Sequence, residues 1–349
     1  MQNAKKNNTH LKNRIFYLIF LFSVPFSVDK SYGIEQDTTY YTTYHHQLTG
    51  RFLFSQKFTS VKFSDKADNH RIHYFPNTTL NMGVGATYRR LNLNLAYGFG
   101  FLNQNQERGN TKYLDLQVHA HPQKFNVDLF AQFYKGYYAT NNNIDQSDNK
   151  YYLRPDLSVR KIGGNIQYIF NHHKFSLRAP NFHNEWQKKS AGSLLLGFET
   201  YFGQVSADSA FLPSSLTGSP RLISQGMRFI EAGSNIGYAY TLVIKKHFYV
   251  SASASAGITF GVKSIEENGL SNSETGLNLN ALSRIFVGYN SETWAVGMGY
   301  VDNRIMFTSE NIDLSTRITT GNIRLNFIKR FTPGPKLQRR LNVIDIIIP

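Results

Sequence analysis

The run His247-Phe-Tyr-Val-Ser-Ala-Ser-Ala-Ser-Ala-Gly-Ile-Thr-Phe-Gly-Val262 alternates without a break. Phe248, Val250, Ala252, Ala254, Ala256, Ile258, Phe260 and Val262 occupy one set of positions, and Tyr249, Ser251, Ser253, Ser255, Gly257, Thr259 and Gly261 the other. A period of two places the sets on opposite faces of an extended strand, one apolar and one polar. An eight-residue apolar face this regular needs an apolar medium or another sheet against it. The opposite face is unusually small, so whatever it looks onto has room for larger groups.

The same period recurs along the chain in segments of about ten residues, the length a tilted strand needs to cross a bilayer. Leu80, Met82, Val84, Ala86 and Tyr88 lead into the turn Arg89-Arg90, and Leu91, Leu93, Leu95, Tyr97, Phe99 and Phe101 lead out of it, a hairpin pattern. Hairpins of this kind also surround His121-Pro-Gln-Lys124, Asn171-His-His-Lys174, Lys245-Lys-His247 and Asn290-Ser-Glu292. These five short turns alternate with longer polar connections at 64–76, 103–111, 139–156, 264–274 and 303–313. Short turns at one end and long loops at the other is the asymmetry of outer-membrane barrels, with turns toward the periplasm and loops outside. A β-sandwich also makes hairpins, but does not sort connections by length in this way. Aromatic residues are 14% of the 349, charged residues only 17%, and no sustained helical period follows residue 34. The expected fold is therefore all-β, an antiparallel transmembrane up-and-down β-barrel with short periplasmic turns and longer extracellular loops.

Both chain ends fit an exported protein. Lys5, Lys6, Lys12 and Arg14 precede an apolar run at 15–28, and Ser31-Tyr-Gly33 offers small residues at a cleavage site. Residues 1–33 are read as a cleaved signal peptide, 34–47 as an N-terminal periplasmic segment, 48–331 as the barrel and 332–349 as a periplasmic tail. Cleavage after Gly33 changes the formal charge from +15 to +11 by removing five cations and one acid. The chain has no cysteine, so disulfides and thiolate metal sites are excluded.

The strand count is left at twelve or fourteen. Between the turns at Lys174 and Lys245, 174–182, 194–202 and 229–244 all look like strands, whereas the path must cross an even number of times. A weak fourth piece at 204–212 gives fourteen strands; demoting one piece gives twelve. The polar, proline-containing run 206–228 is either a plug in the lumen or a long loop.

Several stretches resemble one family of exported proteins, the domain of unknown function 4421 family. They are Gly109-Asn-Thr-Lys-Tyr-Leu-Asp-Leu116, Asp128-Leu-Phe-Ala-Gln-Phe-Tyr-Lys-Gly-Tyr-Tyr138, Gln167-Tyr-Ile-Phe-Asn171 with Lys174-Phe-Ser176, Gln187-Lys-Lys-Ser-Ala-Gly-Ser193, Asp208-Ser-Ala210 and Gly237-Tyr-Ala-Tyr-Thr-Leu-Val-Ile-Lys-Lys-His-Phe248. The resemblance implies an outer-membrane barrel of a Bacteroidota bacterium with no established activity, and it transfers no catalytic residue. Arg89-Arg90 departs from the family's usual aromatic or apolar position after Tyr88.

If the apolar alternates meet lipid, the others line the lumen. The candidates are Asp115, Gln117, His119, Asp128, Gln132, Tyr134, Gln167, Asn280, Arg284 and Arg324. With Asn81, Asn92, Asn94, Asn126, Asn165, Asn278, Asn322 and Asn326 on the same face, amides outnumber charges, so such a lumen passes a small hydrophilic solute, binds one, or is cross-linked shut. His119 and His121 share a strand face but lack an identifiable third metal ligand. Ser190 and Ser193 beside Lys188-Lys189 lack a base held on their own face, and no Gly-x-Ser-x-Gly elbow is present. No catalytic residue, metal or cofactor is therefore assigned. The basic turn residues fit phospholipid headgroups, and nothing resembles a nucleic-acid module. The sequence reading is a non-enzymatic barrel in outer-membrane lipid: a small channel, solute-binding barrel or structural envelope protein. The alternative is an outer-membrane enzyme acting on lipid or lipopolysaccharide.

Overall fold

The computed structural model describes residues 36–44, 47–65, 70–88, 91–102, 106–120, 122, 124–140, 150–213, 224–267, 270–309, 314–339 and 341. The signal-peptide reading, Arg89-Arg90, His121 and half of the tail lie outside the described residues. Of the tail, 335–339 are helical.

Residues 36–332 form one compact unit. Its strands are β1 (Tyr41–Thr43), β2 (Leu48–Asp65), β3 (Arg71–Tyr74), β4 (Asn81–Tyr88), β5 (Leu91–Tyr97), β6 (Lys112–Ala120), β7 (Phe125–Thr140) and β8 (Tyr151–Ile169). A short helix α1 (Arg178–Phe182) and strand β9 (Glu185–Gln187) follow. The chain continues through β10 (Ala191–Ser206), β11 (Ser224–Ile244), β12 (Phe248–Glu267), β13 (Leu270–Asn290), β14 (Trp294–Thr308) and β15 (Leu314–Phe331). Among the described residues the main sheet has 13 strands in the order β5-β4-β2-β15-β14-β13-β12-β11-β10-β8-β7-β6, with β3 added to β2. Every pairing is antiparallel, so the chain runs up and down as its pattern predicts.

Twelve strands make the continuous path, the lower of the two expected counts. The piece at 174–182 is not a strand. Phe175, Leu177 and Ala179 alternate as a strand would, but Pro180 has no N–H for a ladder and sits where the first turn of α1 tolerates it. The piece at 204–212 is not a separate crossing either: β10 runs to Ser206, and 207–213 leave the sheet. The connection expected at 264–274 belongs mostly to the strands, because β12 and β13 stay paired out to Glu267 and Leu270.

Hydrogen bonds through the interior show that the sheet curls into a barrel. Lys161 on β8 donates to Asn303 on β14 at 3.1 Å, Gln167 on β8 to Ser255 on β12 at 2.8 Å, and Thr320 on β15 to Gln132 on β7 at 3.0 Å. None of these strands are neighbours in the sheet. Among the described residues the sheet edges β5 and β6 share no ladder, yet the wall is joined beside them. Phe75 and Tyr138 exchange backbone hydrogen bonds, Tyr137 donates to the Thr59 carbonyl, and Lys57 on β2 donates to the Asp115 carbonyl on β6 at 3.1 Å. A positively charged side chain on an edge carbonyl occupies an acceptor that would otherwise invite another strand. Gly136, with φ +91°, sits at the register shift of β7, where a Cβ would come within 2.3 Å of the Asn110 carbonyl.

β12 shows the two faces most clearly. Ser251, Ser253, Ser255 and Thr259 are buried, whereas Phe248, Val250, Ile258, Phe260 and Val262 are exposed on the outside. The same outer exposure runs round the wall through Leu194, Phe198, Ile236, Tyr238, Leu277, Leu279, Ile285, Met298 and Phe327. From Phe248 to Phe260 the strand covers ~40 Å, or about 30 Å of height at a tilt of roughly 40°.

Candidate functional site

The interior has three levels, and its middle is polar. Glu199 on β10 and Glu231 on β11 point inward among amides. Asn280 Nδ2 donates to Glu199 Oε1 at 2.9 Å and to Glu231 Oε1 at 2.7 Å, while Asn278 donates to Glu231 Oε2 at 2.9 Å. Asn235 donates to Asn165 at 2.8 Å and to Glu199 at 3.3 Å, and receives a hydrogen bond from Gln167 at 2.9 Å. Lys161, fully buried, continues the network through Asn303 to the Tyr201 hydroxyl. A buried ionisable group away from water needs such partners, because each unmade hydrogen bond costs about 1–3 kcal/mol. Glu199 also explains Gly257 on β12: a Cβ there would lie 2.3 Å from Glu199 Oε1. The small face of β12 is therefore filled by long side chains from neighbouring and opposite strands.

Around this network the ten residues singled out from sequence are each buried or partly buried. Asp128, Gln132, Tyr134, Gln167, Asn280 and Arg284 are buried, while Asp115, Gln117, His119 and Arg324 are partly so. Asp128 is a hub, accepting from Arg284, from Asn126 at 3.0 Å and from His119 Nδ1 at 2.7 Å. Since a carboxylate accepts only, His119 Nδ1 is the donor of this bond. Tyr134 donates to Asp115 at 2.6 Å, and the Lys57 ammonium lies 3.8 Å from the same carboxyl. Gln117 stands opposite Phe130 in the β6–β7 ladder. Arg324 lines a small cavity with Arg284 and His119.

The lower end, where the short turns lie, is covered by residues 171–190. There β1 pairs with β9, and α1 turns back into the barrel mouth. The cap is held by donors to its own carbonyls. Arg51 on β2 donates to Phe182 O at 2.6 Å, Arg330 on β15 to His183 O at 3.1 Å, and Asn290 to Glu185 O at 3.0 Å. Trp186 donates to Lys246 O at 2.8 Å, and Tyr41 donates to His172 O at 2.8 Å. His183 Nε2 lies 2.8 Å from the Tyr249 hydroxyl. Burial, then the positive charges of Arg51, Arg330 and Arg324, hold the His183 imidazole well below its ordinary range. It is therefore neutral under the cap.

The upper end is closed differently. After β10 the chain dips inward at Phe211 and Leu212, both buried in an apolar cluster with Val61, Phe63, Leu157, Val159, Phe229 and Ile318. The Phe211 ring stacks on Phe63 with centroids 4.5 Å apart, and Tyr74 donates to the Phe211 carbonyl at 3.0 Å. Arg154, paired with Asp156 at 2.8 Å, donates to the carbonyls of Ala210 and Ser209. The first part of 206–228 therefore enters the barrel, and 214–223 lie outside the described residues.

The remaining sequence candidates have structural partners. Ser190 Oγ accepts from Val243 N at 2.9 Å, and Ser193 Oγ accepts from Asn171 N at 2.9 Å while donating to Leu194 O. Among the described residues no three His, Cys, Asp or Glu side chains gather as a metal site. Sequence reasoning missed Lys161, Glu199 and Glu231. Their signal was a charge at an inward position of a regular strand, as in Leu196-Gly-Phe-Glu-Thr200, where Leu196 and Phe198 face out.

Comparison with known proteins gives one family and distant structural likenesses. The family model described as "Domain of unknown function (DUF4421)" matches residues 35–331. No curated protein is detectably similar in sequence. Among solved structures the chain is similar to the outer membrane protease OmpT from Escherichia coli, at 6% identity over 83% of this chain and 98% of that one, with a TM-score of 0.37. It is also similar to OmpT of Vibrio cholerae (10% identity, 81% and 98% covered, TM-score 0.28) and to the P. putida toluene transporter TodX (6%, 82% and 91%, TM-score 0.24). At these values nothing of their activity is carried over.

Proposed function

We propose that this chain, which belongs to the domain of unknown function 4421 family, is an outer-membrane β-barrel serving the envelope as a structural protein with its interior packed shut. The observation that carries this reading is the set of side-chain hydrogen bonds crossing the lumen from β8 to β12 and β14 and from β7 to β13 and β15. An open pore needs water along that path, whereas here donors and acceptors meet each other directly. Lipid is the partner that the exterior fits: an apolar band about 30 Å high, one residue in two, matches a bilayer's hydrocarbon. At its lower rim Trp294 stacks on Tyr289 at 4.4 Å and Tyr289 on His247 at 5.3 Å, aromatic rings at the level where headgroups begin. In this reading 1–33 direct export, the short turns and the cap face the periplasm, and 332–349 follow the last strand on that side.

The test is planar-bilayer conductance of the purified full chain with the signal removed. The expected record shows no unit steps at moderate voltage in either orientation. Reproducible unit conductance from wild-type protein overturns the closed-barrel reading in favour of a channel. Recovery of the native chain from the inner-membrane or soluble fraction overturns the outer-membrane address.

A further inference from the structure

We propose that the lower interior binds one small inorganic anion of the halide class between Arg284 and Arg324. Arg284 on β13 is only 3% exposed. Its Nη2 is committed to Asp128, but its Nη1 is buried with no hydrogen-bond partner. Arg324 on β15 has no carboxylate within ion-pair distance among the described residues. Both line the same cavity of about 20 Å³, joined by His119, Asn181, Asn322 and Asn326.

The register explains how the cavity arises. Arg284 stands level with Val301 and Asn322, and Phe286 with Gly299 and Arg324, on three adjacent strands. Gly299 has no side chain, and the Phe286 ring leans over it, 2.5 Å from where a Cβ would be. The two guanidinium groups are thereby left facing a hollow that no side chain fills.

Charge selects the occupant. The carboxylate nearest in this network, Asp128, is already shared by Arg284, His119 and Asn126, and Asp115 is engaged by Tyr134 and Lys57. The buried Arg284 and partly buried Arg324 guanidinium groups against one shared carboxylate leave a surplus positive charge, and burial without a counter-charge is costly. Asn322 and Asn326 also have carbonyl oxygens without partners. Both residues line the cavity, and a side-chain amide offers N–H donors to an anion. A cavity of this size holds one or two water-sized bodies, which suits a single monatomic anion and not a tetrahedral oxyanion. Asn181 belongs to α1, so the bound anion links the cap to the wall.

The test uses the full chain purified in detergent, heated in sodium gluconate with increasing sodium bromide at constant ionic strength. The expected result is a saturable rise in melting temperature. In Arg324→Gln, checked for folding by its heat-dependent electrophoretic mobility, half-saturation moves to about tenfold higher bromide. Crystals grown with bromide should show one anomalous peak between Arg284 and Arg324, which keeps the proposal testable even if the variant does not fold. A non-saturating rise, an equal rise in the folded variant, or no peak in the cavity overturns it. A rise with sulfate and none with bromide overturns the halide assignment.

Discussion

The two halves of the barrel interior are filled by opposite chemistry. The upper half, around Phe63, Phe211 and Phe229, is an apolar core like that of a water-soluble protein. The middle and lower half, around Asp128, Glu199, Glu231 and Arg284, is a hydrogen-bonded polar network. Apolar packing is non-directional and relaxes when an atom is lost, whereas a buried polar network depends on each partner being present. The upper plug should therefore tolerate substitutions of similar volume, and the network should not tolerate removal of a single member.

The largest effect that separates the halves comes from Asp128→Ala. It strands Arg284 and removes the acceptor of His119 and Asn126, so it should destabilise by about 3–5 kcal/mol. Urea unfolding in lipid vesicles, followed by tryptophan fluorescence, measures the loss. Phe211→Ala should cost about 3 kcal/mol by cavity formation, the lower end of the usual range because 207–213 settle more readily than a strand. Phe211→Leu should recover most of that, whereas Asp128→Asn should recover little, since an amide does not neutralise Arg284. A full rescue by Asn would erase the contrast between the halves. Gly257→Ala is a smaller and more local test: its new methyl meets Glu199, so it should cost about 2 kcal/mol. Ala256→Gly on the outer face of the same strand provides the control.

The smallest effect is the pH response of the cap. His183 is neutral in the fold with its proton affinity depressed, while in the unfolded chain it titrates near 6.5. Its contribution is therefore fully present above about pH 6.5 and falls away as the pH drops below that value. Limited proteolysis within 171–190 should speed up between about pH 6.5 and 5 in wild type. In His183→Gln that acceleration should shrink, and an unchanged pH profile would assign it to other groups.

The wall was legible in the sequence, and its contents were not. In β12 each residue's side follows from alternation alone, since a period of two assigns faces without reference to any partner. The same rule misread 174–182, where Phe175, Leu177 and Ala179 alternate but Pro180 and the carbonyl-seeking Arg51 and Arg330 make a cap. Partners across the lumen leave no local trace. Lys161 and Asn303 are 142 residues apart, and Arg284 and Asp128 are 156 apart. Alternation says that Glu199 faces inward, but the amides that receive it lie on β11 and β13.

The claim that side chains fill the space beside the small face of β12 can be measured on a single atom. The chain has no cysteine, so Ser255→Cys introduces one thiol on that face, beside Gln167. In folded protein in sealed vesicles, a membrane-impermeant maleimide should leave this thiol unlabelled from either side, and labelling should become complete on unfolding. Labelling of folded Ser255→Cys as fast as a thiol placed in the turn by Lys245→Cys would contradict the account, because it would put water where Gln167 and its network are packed.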